Sequence, residues 1–294
     1  MKNFKELKEY LCKGDSRTMV VAAADEVSIL KACRSAFEAE IVNLILIGNA
    51  EVIGEYFTSD EAQIIDIPDP VAAAEKAVEL LAEDKADSIM KGLVHTDQFL
   101  KAILSKKEEL MEAKLLSHVA AAEFGERFIV FSDAGMNIKP DLGQKVEILK
   151  NAVKVAVKLG IDEPKTALIC AVEKINTKMP CTLDAAIISK MAERGQLRIP
   201  GKVDGPLALD VALSPHAAKV KKLISYSGVP GNADVMIMNA ITDGNAVYKT
   251  LEVFLNAPRA AVVAGARKSI VLTSRGDDSQ TKFNSIMLAL AISS

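Results

Sequence analysis

Tryptophan is absent from the chain and aromatic side chains make up only 4% of it, so Ala, Val, Ile, Leu and Met must fill the interior. Such packing suits helices laid on a parallel sheet. No apolar run approaches the roughly 20 residues that a membrane-spanning helix needs. Residues 1–7 are charged and helical in pattern and lack the apolar stretch of a secretory leader, so a cytoplasmic location is expected. Cysteine is sparse: Cys12, Cys33, Cys170 and Cys181 form no C-x-x-C pair, which reads as reduced thiols. There is no basic excess either. The net charge of −3 argues against a nucleic-acid partner, although a few Lys and Arg at one site can still attract a small anion.

Several site motifs are missing as well. G-x-G-x-x-G does not occur, Gly201-Lys202 is followed by Val203 where a phosphate loop needs Ser or Thr, and H-E-x-x-H and G-x-S-x-G are lacking. His95, His118 and His216 are isolated in sequence. No metal and no tightly bound cofactor is expected.

What is present is alternation. Apolar runs at 19–24, 41–47, 63–67, 88–92, 128–132, 166–172, 235–238, 260–263 and 270–273 read as strands. Helical periods lie between them, notably 96–104, 141–159 closed by Gly160, and 183–194 stopped by Gly195, with Asp25 expected to cap the helix after the first strand. Strands separated by helices imply βαβ units, so the fold class is α/β with mainly parallel sheets flanked by helices. At 294 residues there is room for two domains of about 150 residues, but no Pro-, Gly- or Ser-rich linker marks a boundary.

Five segments carry candidate chemistry. In Leu272-Thr273-Ser274-Arg275-Gly276-Asp277-Asp278 a strand ends in hydroxyls and an Arg before a helix start. Ligands of open α/β sheets bind beyond strand carboxyl ends, and Arg there can clamp a phosphate. A solvated turn with Arg275 paired to Asp277 or Asp278 is an equally simple reading. Met90-Lys91-Gly92-Leu93-Val94-His95-Thr96 has the same layout, with Lys91 able to neutralise phosphate charge and Thr96 able to act as a cap. Ser132-Asp133-Ala134-Gly135-Met136-Asn137 is a polar loop after a strand that turn chemistry alone would explain. Asp204 and Asp210, around Gly205-Pro206, could ligate a metal but read more simply as a turn and a helix start. Gly231-Asn232-Ala233-Asp234 and Gly244-Asn245-Ala246-Val247-Tyr248 flank a strand with Gly-Asn turns.

In this order the segments resemble the phosphate acetyltransferase and phosphate butyryltransferase family, with Met-Lys-Gly-Leu-Val-His and Asp-Gly-Pro-Leu closer to the butyryl branch. The resemblance implies two lobes of the isocitrate and isopropylmalate dehydrogenase kind with a cleft between them, 1–133 plus 269–294 forming one and 134–268 the other. It implies a homodimer or higher homo-oligomer, coenzyme A as co-substrate, and reversible exchange of a short acyl group between CoA and phosphate without a covalent acyl-enzyme. The partners are then acyl-CoA, CoA, phosphate and acyl phosphate. The catalytic residues implied are Ser274, Arg275, Lys91 and Asp277; His95, Thr96, Asp133, Asn137, Asn232, Gly244, Asn245 and Tyr248 would bind substrate. One departure stands out. Acetyl-branch members place an acidic residue seven positions after the Ser, and Thr281 occupies that slot here. Two alternatives remain open: a metal- and NAD(P)-dependent decarboxylating dehydrogenase using Asp204 and Asp210, and a non-catalytic CoA- or acyl-phosphate-binding paralogue.

Overall fold

A computed structural model describes residues 1–223 and 227–293. The chain forms two compact units, one comprising Asn3–Glu112 with Pro258–Ser294, the other Ala113–Ala257 with Met1–Lys2. Both divisions fall earlier than the sequence suggested. The first moves because an antiparallel hairpin, at 117–132, belongs with the strands that follow it.

The first unit begins with α1 (Phe4–Leu11), β1 (Arg17–Ala22), α2 (Val27–Glu38), β2 (Val42–Gly48), α3 (Ala50–Gly54), β3 (Gln63–Asp66), α4 (Pro70–Ala82), β4 (Ser88–Lys91), α5 (Thr96–Ser105) and α6 (Lys107–Leu110). The middle of the chain supplies β5 (Ser117–Phe124), β6 (Arg127–Ser132), α7 (Leu142–Lys158), β7 (Lys165–Ile169), α8 (Pro180–Glu193), β8 (Lys202–Leu207), α9 (Leu209–Leu213), α10 (Pro215–Val220), β9 (Val235–Ile237) and α11 (Ile241–Val253). The first unit is completed by β10 (Arg259–Ala264), β11 (Ser269–Val271) and α12 (Ser279–Ile292).

Within the first unit the strand order is β3-β2-β1-β4-β11-β10, parallel except for the β10–β11 pair. Within the second it is β5-β6-β9-β7-β8, parallel except for the β5–β6 hairpin. Burial on both faces explains the apolar run Met19–Ala22 of β1, and β4 is buried throughout although Ser88 and Lys91 flank its two apolar residues. Two strands escaped the sequence. Ser117–Phe124 is rich in Ala and weak in β-branched residues, and Lys202–Leu207 carries Asp-Gly-Pro, which reads as a turn. Both strands arise from their partners. Pro206 is tolerated because β8 is the edge of its sheet.

The helix starts follow capping chemistry. Asp69 accepts from the Ala72 amide with Pro70 in the first turn, and Asp141 with Gln144 forms a reciprocal capping box at α7. Asp25 does not cap α2 as expected. Its Oδ1 accepts from the Asn49 amide at 2.6 Å, and Glu26 stands at the N-cap without a side-chain cap bond.

The strand order of the first unit contains a switch point. From β1 the chain winds outward through β2 and β3, then returns to place β4 on the other side of β1. Such a reversal opens a crevice at the carboxyl ends of the two central strands. Here the crevice is laced by backbone: Gly92 N donates to Ala22 O at 2.8 Å and Leu93 N to Ala23 O at 2.7 Å. A Cβ on Gly92 would stand 2.0 Å from the Ala23 carbonyl oxygen, so only glycine allows this approach.

Gly92→Ala is therefore expected to cost about 3 kcal/mol, the upper part of the usual overpacking range. Gly54→Ala, a helical position with open space around it, should be neutral or stabilising by less than about 1 kcal/mol. Urea unfolding of the two variants checks the contrast.

Candidate functional site

In the first unit, β4 and its parallel neighbours β1 and β11 all end at one edge: Ala22 is level with Lys91, and Val271 with Met90. The loops that follow carry the residues singled out in the sequence. Lys91 is buried, and its Nζ donates to Gly92 O and Val94 O, each at 3.1 Å. His95 is the N-cap of α5 without a side-chain cap bond, and Thr96 opens the helix. From the loop after β11, Arg275 brings Nη2 to 3.4 Å from His95 Nδ1. A guanidinium only donates, so Nδ1 is the acceptor. The structure thus brings Lys91, His95, Thr96, Ser274 and Arg275 to one edge.

Asp277 has a different place from the one its sequence position suggested. It is buried; Oδ1 accepts from Arg259 Nη2 at 3.2 Å and Oδ2 from the Ser274 amide at 2.8 Å. The Asp277 amide returns a bond to Ser274 O at 3.1 Å, and the Gly276 amide reaches Ser274 Oγ at 3.3 Å. The carboxylate therefore locks the turn that presents Ser274 and Arg275, and both its oxygens are engaged in doing so. Arg275 pairs with neither Asp, contrary to the simpler reading of the turn. Asp278 caps α12, accepting from the Thr281 amide at 2.7 Å. Its partial burial raises its pKa, but the Thr281 amide and hydroxyl, with Arg259 and Lys282, hold it below the usual carboxylate value.

Lys282 and Glu26 are residues the sequence did not disclose. Lys282 lies on α12, which is buried nearly all round, and is 1% exposed. Its Nζ reaches Glu26 Oε1 and Ser28 Oγ, both at 2.5 Å. Burial raises the Glu26 pKa, yet hydrogen bonds from Lys282 and Ser28 outweigh it and keep the carboxyl below its ordinary value. Lys91 moves the other way: burial, then Arg275, and finally Lys282 lower its pKa, with Glu26 opposing. Lys91, Arg275 and Lys282 thus share one neighbourhood with Glu26, and Lys282 also acts on Asp278; three cations at one edge make a field suited to anions. The one signal in the sequence was a Lys set into the apolar stripe of the last helix.

The second unit gathers another set. Asp133, buried after β6, accepts from the Gly135 and Met136 amides at 2.7 Å each, from the His118 amide at 3.0 Å and from Asn137 Nδ2 at 2.6 Å. Gly244 in α11 packs so closely that a Cβ would lie 2.0 Å from Asp133 O. Asn245 Nδ2 reaches Ala134 O at 3.5 Å, and Tyr248 stands edge-on to His118 at 6.2 Å. Asp133, Asn137, Gly244, Asn245 and Tyr248 are thus together, with Asp133 turned inward to hold its loop. Asn232 is not among them: its carbonyl accepts from Arg127 Nη1, at the opposite end of β6 from Asp133. Of the two Asp residues considered as metal ligands, Asp204 bonds the Gly205 amide at 2.8 Å and Ser227 Oγ at 2.5 Å, and Asp210 lies 3.4 Å from Lys221.

Comparison with known proteins places this geometry. The profile of the family described as phosphate acetyl/butaryl transferase matches residues 67–290. A phosphate butyryltransferase of Clostridium acetobutylicum is 41% identical, with 99% of this chain and 98% of the relative covered. A phosphate acetyltransferase of Thermotoga maritima is 36% identical over 95% of this chain and 96% of its own. A branched-chain phosphotransacylase from Enterococcus faecalis superimposes with a TM-score of 0.86 at 31% identity, covering 94% of this chain and 99% of that one. A putative 4-hydroxythreonine-4-phosphate dehydrogenase from Salmonella typhimurium shares the fold alone, at a TM-score of 0.57 and 10% identity.

The Asp277–Arg259 pair gives a stability test. Removing one partner of a buried ion pair costs about 3–5 kcal/mol, so Asp277→Ala should be strongly destabilised. Arg275→Ala, at an exposed position, should change stability by less than about 0.5 kcal/mol. Denaturant midpoints of both variants measure the difference.

Proposed function

The chain belongs to the phosphate acetyl/butaryl transferase family and is an acyltransferase exchanging a short acyl group reversibly between coenzyme A and phosphate, and we propose that butyryl is its favoured acyl group. Supporting the butyryl reading are the 41% identity to a phosphate butyryltransferase, against 36% to the acetyl enzyme, and the structural likeness to a branched-chain transacylase. In the forward direction a phosphate oxygen attacks the thioester carbonyl directly and CoA thiolate leaves, with both substrates bound together. Two anions must be gathered and aligned, so positioning and charge stabilisation dominate.

The observation that carries the site is the cationic edge made by Lys91, Arg275 and Lys282. Arg275, exposed and backed by His95, is assigned as the phosphate clamp. Ser274 donates its hydroxyl to the developing oxyanion or thiolate, and Lys91 in its ammonium form contributes further positive charge. Asp277 is a positioning residue, since it holds the Ser274 amide. His95 and Thr96 line the substrate's approach at the same edge. In the second unit, the 134–137 loop and the start of α11 would serve as a substrate-binding surface that Asp133 and Gly244 shape; Asn245 and Tyr248 lie on it. A cytoplasmic place in butanoate metabolism suits this reaction.

A homodimer is the assembly proposed. Val253, Phe254 and Leu255 at the end of α11 are 70%, 81% and 65% exposed. Beside them Phe124, Leu209, Leu213 and Leu251 help line a cavity of about 250 Å³. An apolar patch of this kind supports a contact between copies of the chain.

CoA release from butyryl-CoA, followed with a thiol reagent, should require phosphate and be faster than from acetyl-CoA; phosphate-independent release would overturn the assignment. Arg275→Ala is expected to lower kcat/KM for phosphate by about 2–4 kcal/mol of transition-state stabilisation. Phe254→Asp should shift the protein to the monomer mass in sedimentation analysis.

A further inference from the structure

Forming acyl-CoA from acyl phosphate moves the CoA thiol proton to the departing phosphate. An alkyl thiol has a pKa of about 8.5, so near neutral pH a proton acceptor is needed. The first unit's edge offers few. Both oxygens of Asp277 are taken by Arg259 and the Ser274 amide. Asp278 caps α12, and Thr281 has no basic atom. Glu26 is clamped by Lys282 and Ser28. His95 spends Nδ1 on Arg275, so in the neutral ring Nε2 carries the proton and is a donor.

Lys91 is left. Its Nζ bonds two carbonyls, Gly92 O and Val94 O, and among the described residues no carboxylate is hydrogen-bonded to it. A neutral amine satisfies both carbonyls with its two N–H groups and keeps a lone pair free for a third direction. We propose that Lys91 is the proton carrier of acyl transfer, taking the CoA thiol proton as a neutral amine and returning it as an ammonium. The step rests on the CoA–phosphate exchange assigned above. The thiol S–H bond breaks and an N–H bond forms; the thiolate sulfur attacks the acyl carbon. The C–O bond to phosphate then breaks with its electron pair on oxygen, and the ammonium proton passes to that oxygen, restoring the amine.

The surroundings select this residue among the cations. The charged groups facing it are Arg275 from the loop after β11, Lys282 from α12 and Glu26 from the loop after β1. A guanidinium such as that of Arg275 does not accept protons, and Lys282 is ion-paired to Glu26. Burial and the two neighbouring cations favour the neutral form of Lys91, with Glu26 opposing in part. Because its pKa is lowered, the amine form accumulates as pH rises toward the ordinary lysine value and is lost as pH falls.

The test is a pair of pH–rate profiles, for acyl-CoA formation and for phosphorolysis, in the wild type and in Lys91→Arg and Lys91→Ala. Wild-type kcat should rise with pH to a plateau in the acyl-CoA-forming direction and fall over the same limb in phosphorolysis. Both variants should lose about 10²–10⁴-fold in kcat for acyl-CoA formation, because an arginine keeps the charge but cannot accept a proton. Methylamine should restore activity to Lys91→Ala, which also shows that variant to be folded. Lys91→Arg within tenfold of wild type, or Lys91→Ala unrescued by amine, overturns the proposal. Wild-type turnover in both directions, measured alongside, tests the acyl-transfer assignment separately.

Discussion

The close approach of Gly92 to the Ala22 and Ala23 carbonyls sets the geometry on which the candidate site rests. It ties the loop after β4 to the loop after β1, and so fixes Lys91, His95 and Thr96 relative to Glu26 and Ser28. Parallel pairing of β4 with β11 then adds Ser274 and Arg275 at the same level. Three sequence-distant loops become one surface because strands of one direction end on one side. No long-range side-chain contact is needed to explain their meeting.

Electrostatics refine that surface. Burying Lys282 would be costly without Glu26 and Ser28, and burying Arg259 costly without Asp277. These two buried cations have a carboxylate partner, whereas among the described residues Lys91 hydrogen-bonds two carbonyls and Arg275 a histidine. The positive charge without a carboxylate partner among the described residues is then the Arg275 guanidinium, at the edge proposed to receive phosphate.

Much of this was legible beforehand, because local rules and global fold agree. Apolar runs closed by Gly or Asp gave most strands, and the Lys91 and Arg275 segments stood out as polar groups at strand ends. What escaped depended on partners. Ser117–Phe124 is a strand because Arg127–Ser132 lies beside it, and Lys202–Leu207 because Lys165–Ile169 does. Asp25 looked like a cap but serves the Asn49 amide instead. Asp277 looked like a reactive group beside Ser274, yet buried Arg259 captures it from 18 residues away. Lys282 and Glu26 lie far apart in sequence, and only the packing of α12 onto the first unit joins them.

The order of segments along the chain has a temporal consequence. Strand β11 lies between β4 and β10, yet it follows the whole of the second unit in sequence. During synthesis β4 emerges early and waits with one flank of its backbone unpaired while more than a hundred residues are added. An unpaired strand edge is an invitation to wrong partners. The late arrival of β11 and α12 therefore closes a vulnerable seam in the same event that delivers Ser274, Arg275 and Lys282, so that the proposed site and protection of the nascent fold are acquired together.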